Sequence, residues 1–159
     1  MYRKALKWAL QVTRTPIVRA YGPERHNGLA AYTAWADHLS RDEEFDTEDI
    51  AVLRERLMVH GDAVGTVAEG RWYAAHFLKQ IVEHESAMAE DLLAAAACYE
   101  TEHDLMWQIW SLVGGFEFSD EHAQKLAEPA VRQQIVPIIF QAQDKDTAAA
   151  DHIERALEK

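Results

Sequence analysis

The 159-residue chain contains a single cysteine, Cys98, which excludes a disulfide framework and any CxxC metal site. Seven glycines and four prolines are too few and too scattered for an all-β protein rich in turns. No apolar run approaches the roughly 20 residues that cross a bilayer, so a membrane partner is not expected. The basic N-terminus lacks the long apolar centre of a secretory signal, and a cytoplasmic location is the default expectation. At 48% hydrophobic residues the chain can bury a core, which excludes a disordered tail. The length suits one domain.

Cations are scarce overall and unevenly placed. The net charge is −11, yet residues 1–25 hold six basic residues against one acid, Glu24. The rest of the chain therefore carries −16, and such a body repels phosphate backbones, so nucleic-acid binding is not expected. The division is a basic N-terminal helix and linker over 1–25 and an acidic bundle over 26–159. A short helix around Lys4–Val12, with Leu6 and Leu10 inward, is expected to dock on that acidic body.

What the chain has in abundance is helical periodicity. Leu29, Tyr32, Ala36 and Leu39 place a helix over about Gly28–Ser40. Asp42–Asp46 reads as a loop, and Thr47 as the cap of the next helix. From Ile50 an apolar stripe runs through Leu53, Leu57, His60, Val64, Val67, Arg71, Ala74, Leu78 and Ile81. A second runs Leu92, Ala96, Tyr99, His103, Met106, Trp110, Val113, with Glu83–Ser86 between them. These are the seams of antiparallel bundle helices. An unbroken first helix would be about 54 Å long, and Gly61, Gly65 and Gly70 make a break or kink near 61–65 the expectation. Gly114-Gly115 stops the second helix, Ser119 caps another, and Pro129 opens a fresh one that Pro137 should kink. Ala148, Ala149, Ile153 and Leu157 suggest a last helix, and no strand-like alternation is found. The expected fold is an all-α antiparallel bundle of about five to seven helices around a long central hairpin.

Polar residues on the seams are the candidates for function. Folding back about residues 85–86 sets Arg71 against Glu100, and His60 with Gly61 against Trp110, the glycine leaving space for the indole. A buried guanidinium needs a carboxylate partner. The plain reading is a register-fixing Arg71–Glu100 pair with satisfied core histidines at 60 and 103. The functional reading is a pocket between helices lined by His60, Arg71, Trp72, Glu100, His103, Trp107 and Trp110, offering one cation, one carboxylate and aromatic walls to a small polar ligand.

Glu100 and His103 make one Glu-x-x-His spacing, whereas a carboxylate di-iron bundle needs two and further glutamates. A three-histidine site of DinB-like type would draw on His60, His76, His84 and His103, but His76 and His84 point off the seam. No metal or cofactor is assigned, and a metal-dependent enzyme is kept as the alternative. Cys98 lies off the seam near acids and reads as an inert thiol, and no catalytic motif is present.

The stretch from His26 through Gly28-Leu29-Ala30-Ala31-Tyr32 and Trp35-Ala36 to Leu39, followed by Glu69-Gly70-Arg71, Ala74-Ala75, Phe77-Leu78 and an Ala-rich helix ending in Tyr99, resembles a known region. It is the helical region that follows the cysteine-peptidase-like domain in butirosin-biosynthesis H-like proteins. The resemblance implies an accessory helical module and carries over no catalytic residue, because the papain-like domain is not in this chain. The expected function is thus a non-catalytic module that binds a protein partner or a small polar ligand. Trp8 and Phe140 are candidate exposed contacts of a homodimer.

Overall fold

The computed structural model describes residues 2–19 and 22–159, so part of the 1–25 linker lies outside the described residues. The fold is an all-α bundle with long helices. In chain order the helices are α1 (Tyr2–Arg14), α2 (Leu29–Leu39), α3 (Ile50–Val82), α4 (Ala89–Val113), α5 (Asp120–Ala127) and α6 (Pro129–Glu158). Ile17–Val18 and Arg25–His26 add a two-residue antiparallel pair, a small departure from the strand-free expectation. Among the described residues no helix is long and apolar enough to cross a membrane.

Helix α4 is central, packed against α3 on one side and α6 on the other. That position requires two apolar faces. The row Leu92, Ala96, His103, Trp110 turns toward α3, while Tyr99, Glu102, Met106, Ile109 and Val113 form a buried row that continues round the helix. Helix α2 and α5 close one end over α3 and α6, and α1 lies along the other end of α6. The docked α1 buries Leu6 completely, and Arg14 bonds Glu154 at 2.6 Å and Asp151 at 3.1 Å. The basic N-terminus thus meets the acidic last turns of the bundle.

Several local expectations are corrected. Helix α3 is continuous for 33 residues, about 50 Å, with no break at 61–65. Its glycines serve close packing: a Cβ on Gly61 would stand 2.8 Å from the Phe118 ring, and one on Gly65 would touch Trp110 at 3.5 Å. The cap of α3 is Asp49, whose carboxylate accepts from the Ala51 amide at 2.9 Å, while the Thr47 hydroxyl, two residues before it, accepts from the Asp49 amide at 3.1 Å. The last helix is not separate. The run from Ala148 continues α6, which passes through Pro137 uninterrupted. Residues 42–44, expected as loop, form one 3-10 turn. Gly114 ends α4 with φ 116, a left-handed conformation that a side chain would strain. Ser119 caps α5 by accepting from the His122 amide, and Pro129 occupies the first turn of α6.

The core divides into two apolar clusters stacked along the bundle. One spans Leu53–Ala68 of α3, Leu105–Val113 of α4 and Val131–Ala142 of α6, with α2 and α5. The other spans Ala75–Ile81, Leu92–Tyr99 and Ala149–Ala156 of the same three helices, with α1. Arg71, Glu102 and Asp146 fall in the gap on each helix.

Candidate functional site

The residues proposed for one pocket lie in three different places. The first is the polar layer between the two core clusters. Arg71 does not meet Glu100, which sits at the surface paired with Lys79. Its Nε donates to Glu102 at 3.0 Å, and its Nη2 donates to Asp146 and, at 3.3 Å, to the Tyr32 hydroxyl. The Tyr32 hydroxyl also bonds Glu102 and lies 3.1 Å from Asp146. Glu102 and Asp146 are 0% exposed, and the Arg71 guanidinium lies 5.2 Å over the Tyr99 ring.

Two buried carboxylates around one guanidinium leave one negative charge in excess. Burial resolves this by pushing the Glu102 carboxyl up to about 8, against the opposing pull of Arg71. Protonated Glu102 then donates to the Tyr32 hydroxyl, which is left to donate to Asp146. Each of these hydrogens then has one acceptor. Burial and Glu102 hold the Tyr32 hydroxyl protonated, and desolvation raises Tyr99 likewise. The carboxylates hold Arg71 charged despite its burial. Within this layer, Asp146 Oδ1 is buried without a hydrogen-bond partner among the described residues. This arrangement ties four helices, α2, α3, α4 and α6, together at a common height.

The second place is an aromatic face on α3 and α4, holding Trp72, His103, Trp107 and Trp110. His103 packs tilted against Trp72 at 5.3 Å, Trp107 meets Trp110 edge-on at 4.9 Å, and Phe116 closes on both Trp107 and Trp110. His103 Nδ1 donates to the Ala68 carbonyl at 2.9 Å, so its Nε2 accepts from Trp107 Nε1. Both nitrogens are satisfied and neither is free for a metal. The indoles nevertheless remain open, with Trp72 45% and Trp107 43% exposed beside Tyr73 and Phe118. A shallow hollow of about 180 Å³ lies between Glu69, Trp72, Tyr73 and His103.

The third place holds His60, which faces Trp35 of α2 rather than Trp110; the indole of Trp110 takes the space at Gly65 instead. His60 lines a cavity of about 390 Å³ with Trp35, Leu39, Phe45, Val59 and Ala63. Burial pushes its pKa down to about 4, so it is neutral near pH 7.

The histidines considered for a metal are held apart by these partners. His76 bonds the Trp72 carbonyl and His84 stacks on Tyr2. Among the described residues no group of three or more His, Cys, Asp or Glu is placed to hold a metal ion. Burial pushes the half-buried Cys98 thiol up. Compared with family models, curated proteins and solved structures, the chain matches none.

Proposed function

We propose that the chain is a non-catalytic helical module that recognises a protein partner, and that the partner docks a segment bearing Lys or Arg beside apolar side chains on the aromatic face. The observation that carries this reading is the charge around the exposed aromatics. Met58, Asp62, Gly65, Glu69, Trp72 and His76 follow in steps of three and four and share one face of α3. Asp104 flanks Trp107 on α4, and Glu117 stands between Phe116 and Phe118. These four carboxylates enter no ion pair among the described residues, whereas the nearby cations do: Arg54 pairs with Asp120 and Lys79 with Glu100. Apolar anchors with an unbalanced acidic rim favour a basic amphipathic occupant. A second copy would bring like charges together on this face. An accessory role of this kind is also what the resemblance to the butirosin-biosynthesis H-like helical region implies. A cytoplasmic setting belongs to the same proposal, in keeping with one unpaired cysteine.

A labelled helical peptide of Lys and Leu tests it by fluorescence anisotropy, with a Glu-for-Lys peptide as control. Trp72→Ala combined with Trp107→Ala should weaken binding by about tenfold or more, as loss of two aromatic anchors does. Trp8→Ala should leave binding unchanged. Equal binding of the acidic peptide, or indifference to the tryptophan changes, removes the reading.

Self-association belongs elsewhere on the surface. Trp8 on α1 is 64% exposed and Phe140 on α6 is 39% exposed. A homodimer through these residues is expected to show twice the chain mass by light scattering at tens of micromolar, falling to the monomer mass in Trp8→Glu. A monomer in the unmutated protein discards it.

A further inference from the structure

We propose that the hollow beside Trp72 seats the guanidinium of an arginine supplied by the partner, lying on the Tyr73 ring and paired by its edge with Glu69. This rests on the docking reading above and names the side chain for which that face is selective. Glu69, Trp72 and Tyr73 stand three and four residues apart on α3 and so share one side of the helix, and His103 of α4 closes the hollow. At about 180 Å³ it is smaller than the pockets that hold free small molecules. Its occupant is therefore one side chain of a larger partner.

Glu69 sets the charge of that occupant. Its carboxylate enters no ion pair among the described residues, and the cations of the same stretch are engaged elsewhere. Arg71 turns inward to Glu102 and Asp146, and Lys79 pairs with Glu100. His103 brings no charge, since its Nε2 accepts from Trp107 Nε1 in the neutral tautomer. Asp62, two turns before Glu69, and Asp104, next to His103, deepen the negative field. An anion is disfavoured and a cation is drawn in.

The shape then selects arginine over lysine. Trp72 packs on both His76, at 4.3 Å, and His103, at 5.3 Å, which fixes its indole as a wall. Tyr73 is 70% exposed, so its ring is open to an incoming cation. A planar guanidinium can lie on an aromatic ring and present two N–H groups from its edge to one carboxylate. An ammonium is a compact, strongly hydrated point charge and makes neither the stack nor the two-pronged pair. A trimethylated ammonium has no N–H for Glu69.

Two labelled helical peptides of equal charge test this by fluorescence anisotropy: the Lys and Leu peptide, and the same peptide with every Lys replaced by Arg. The Arg peptide should bind about fivefold tighter, the size of one exposed cation–π contact. In the unmutated protein the Trp72 indole N–H, followed by proton–nitrogen NMR, should shift more with the Arg peptide. Glu69→Gln and Tyr73→Ala should each bring the two peptides to nearly equal affinity. Asp104→Asn removes the same charge outside the hollow and should weaken both peptides alike, leaving the preference in place. The three altered side chains are exposed, so the fold is retained. Equal binding of the two peptides, with Trp72→Ala plus Trp107→Ala still weakening both, overturns this inference and leaves the docking reading standing. An Arg preference that survives Glu69→Gln or Tyr73→Ala, or that Asp104→Asn abolishes, overturns it too. Binding of neither peptide removes both readings.

Discussion

Arg71→Met should lower the free energy of unfolding by about 3–5 kcal/mol, the usual effect of stranding a buried charge. The guanidinium bridges α4 and α6 through Glu102 and Asp146, and both carboxylates are inaccessible to water. Removing it leaves the buried Asp146 carboxyl with the Tyr32 hydroxyl as its one hydrogen-bond partner. Arg71→Lys should also destabilise, because a single ammonium cannot present Nε to one carboxylate and Nη2 to the other. Adding Asp146→Asn to Arg71→Met should recover part of the loss, with a coupling of about 1.5–3 kcal/mol between the two sites. Urea unfolding of the four proteins measures this cycle. A loss below about 1 kcal/mol for Arg71→Met, or additivity within error, would show that the layer is not held by charge pairing.

The helices of this protein were legible in its sequence because each has a period, a stop or a cap. Gly114-Gly115, Ser119 and Pro129 mark boundaries that the structure keeps. The need of Arg71 for a buried carboxylate was legible too, but the partner was not. Antiparallel pairing of two stripes considers two helices, and it selects Glu100, which lies toward the surface on the α3 side of α4. The true partners depend on a third helix. Tyr99, Glu102, Met106, Ile109 and Val113 recur in steps of three and four, as do Ala142, Asp146, Ala149 and Ile153 on α6. Each is an apolar row carrying one acid, and that is the signal that finds both partners once α4 is recognised as central. The glycines of α3 mislead for a related reason. Gly61 and Gly65 lower helix propensity locally, but Phe118 and Trp110 occupy the space they leave, and tertiary packing overrides the local preference. Function was less legible than fold, since the aromatic face and the His60 cavity arise from residues that helix period alone assigns to the core or the surface.

The same polar layer makes stability depend on pH, and Glu102→Gln should remove that dependence. In the unfolded chain the Glu102 carboxyl titrates near 4.5, and burial raises it to about 8 in the fold. Between those values the folded state holds a proton that the unfolded state has released, so stability falls as pH rises. The contribution is fully present below about pH 4.5 and is lost as pH passes through about 8. It amounts to something on the order of 5 kcal/mol over that range. His60 acts in the opposite sense. Its folded pKa of about 4 lies below the ordinary 6.5, so the stability it contributes is present above 6.5 and lost as pH falls through 4. The two slopes oppose each other between about 4.5 and 6.5, and the uncancelled fall lies between about 6.5 and 8. A glutamine at 102 reproduces the protonated acid: its carbonyl accepts from Arg71 Nε and its amide donates to Tyr32. Glu102→Gln should therefore match the unmutated protein near pH 5 and exceed it by a few kcal/mol near pH 9. Urea unfolding of both proteins across that range, compared as a difference, cancels His60 and isolates Glu102. Parallel profiles would mean that Glu102 is ionised in the fold and that the excess negative charge is neutralised elsewhere in the layer.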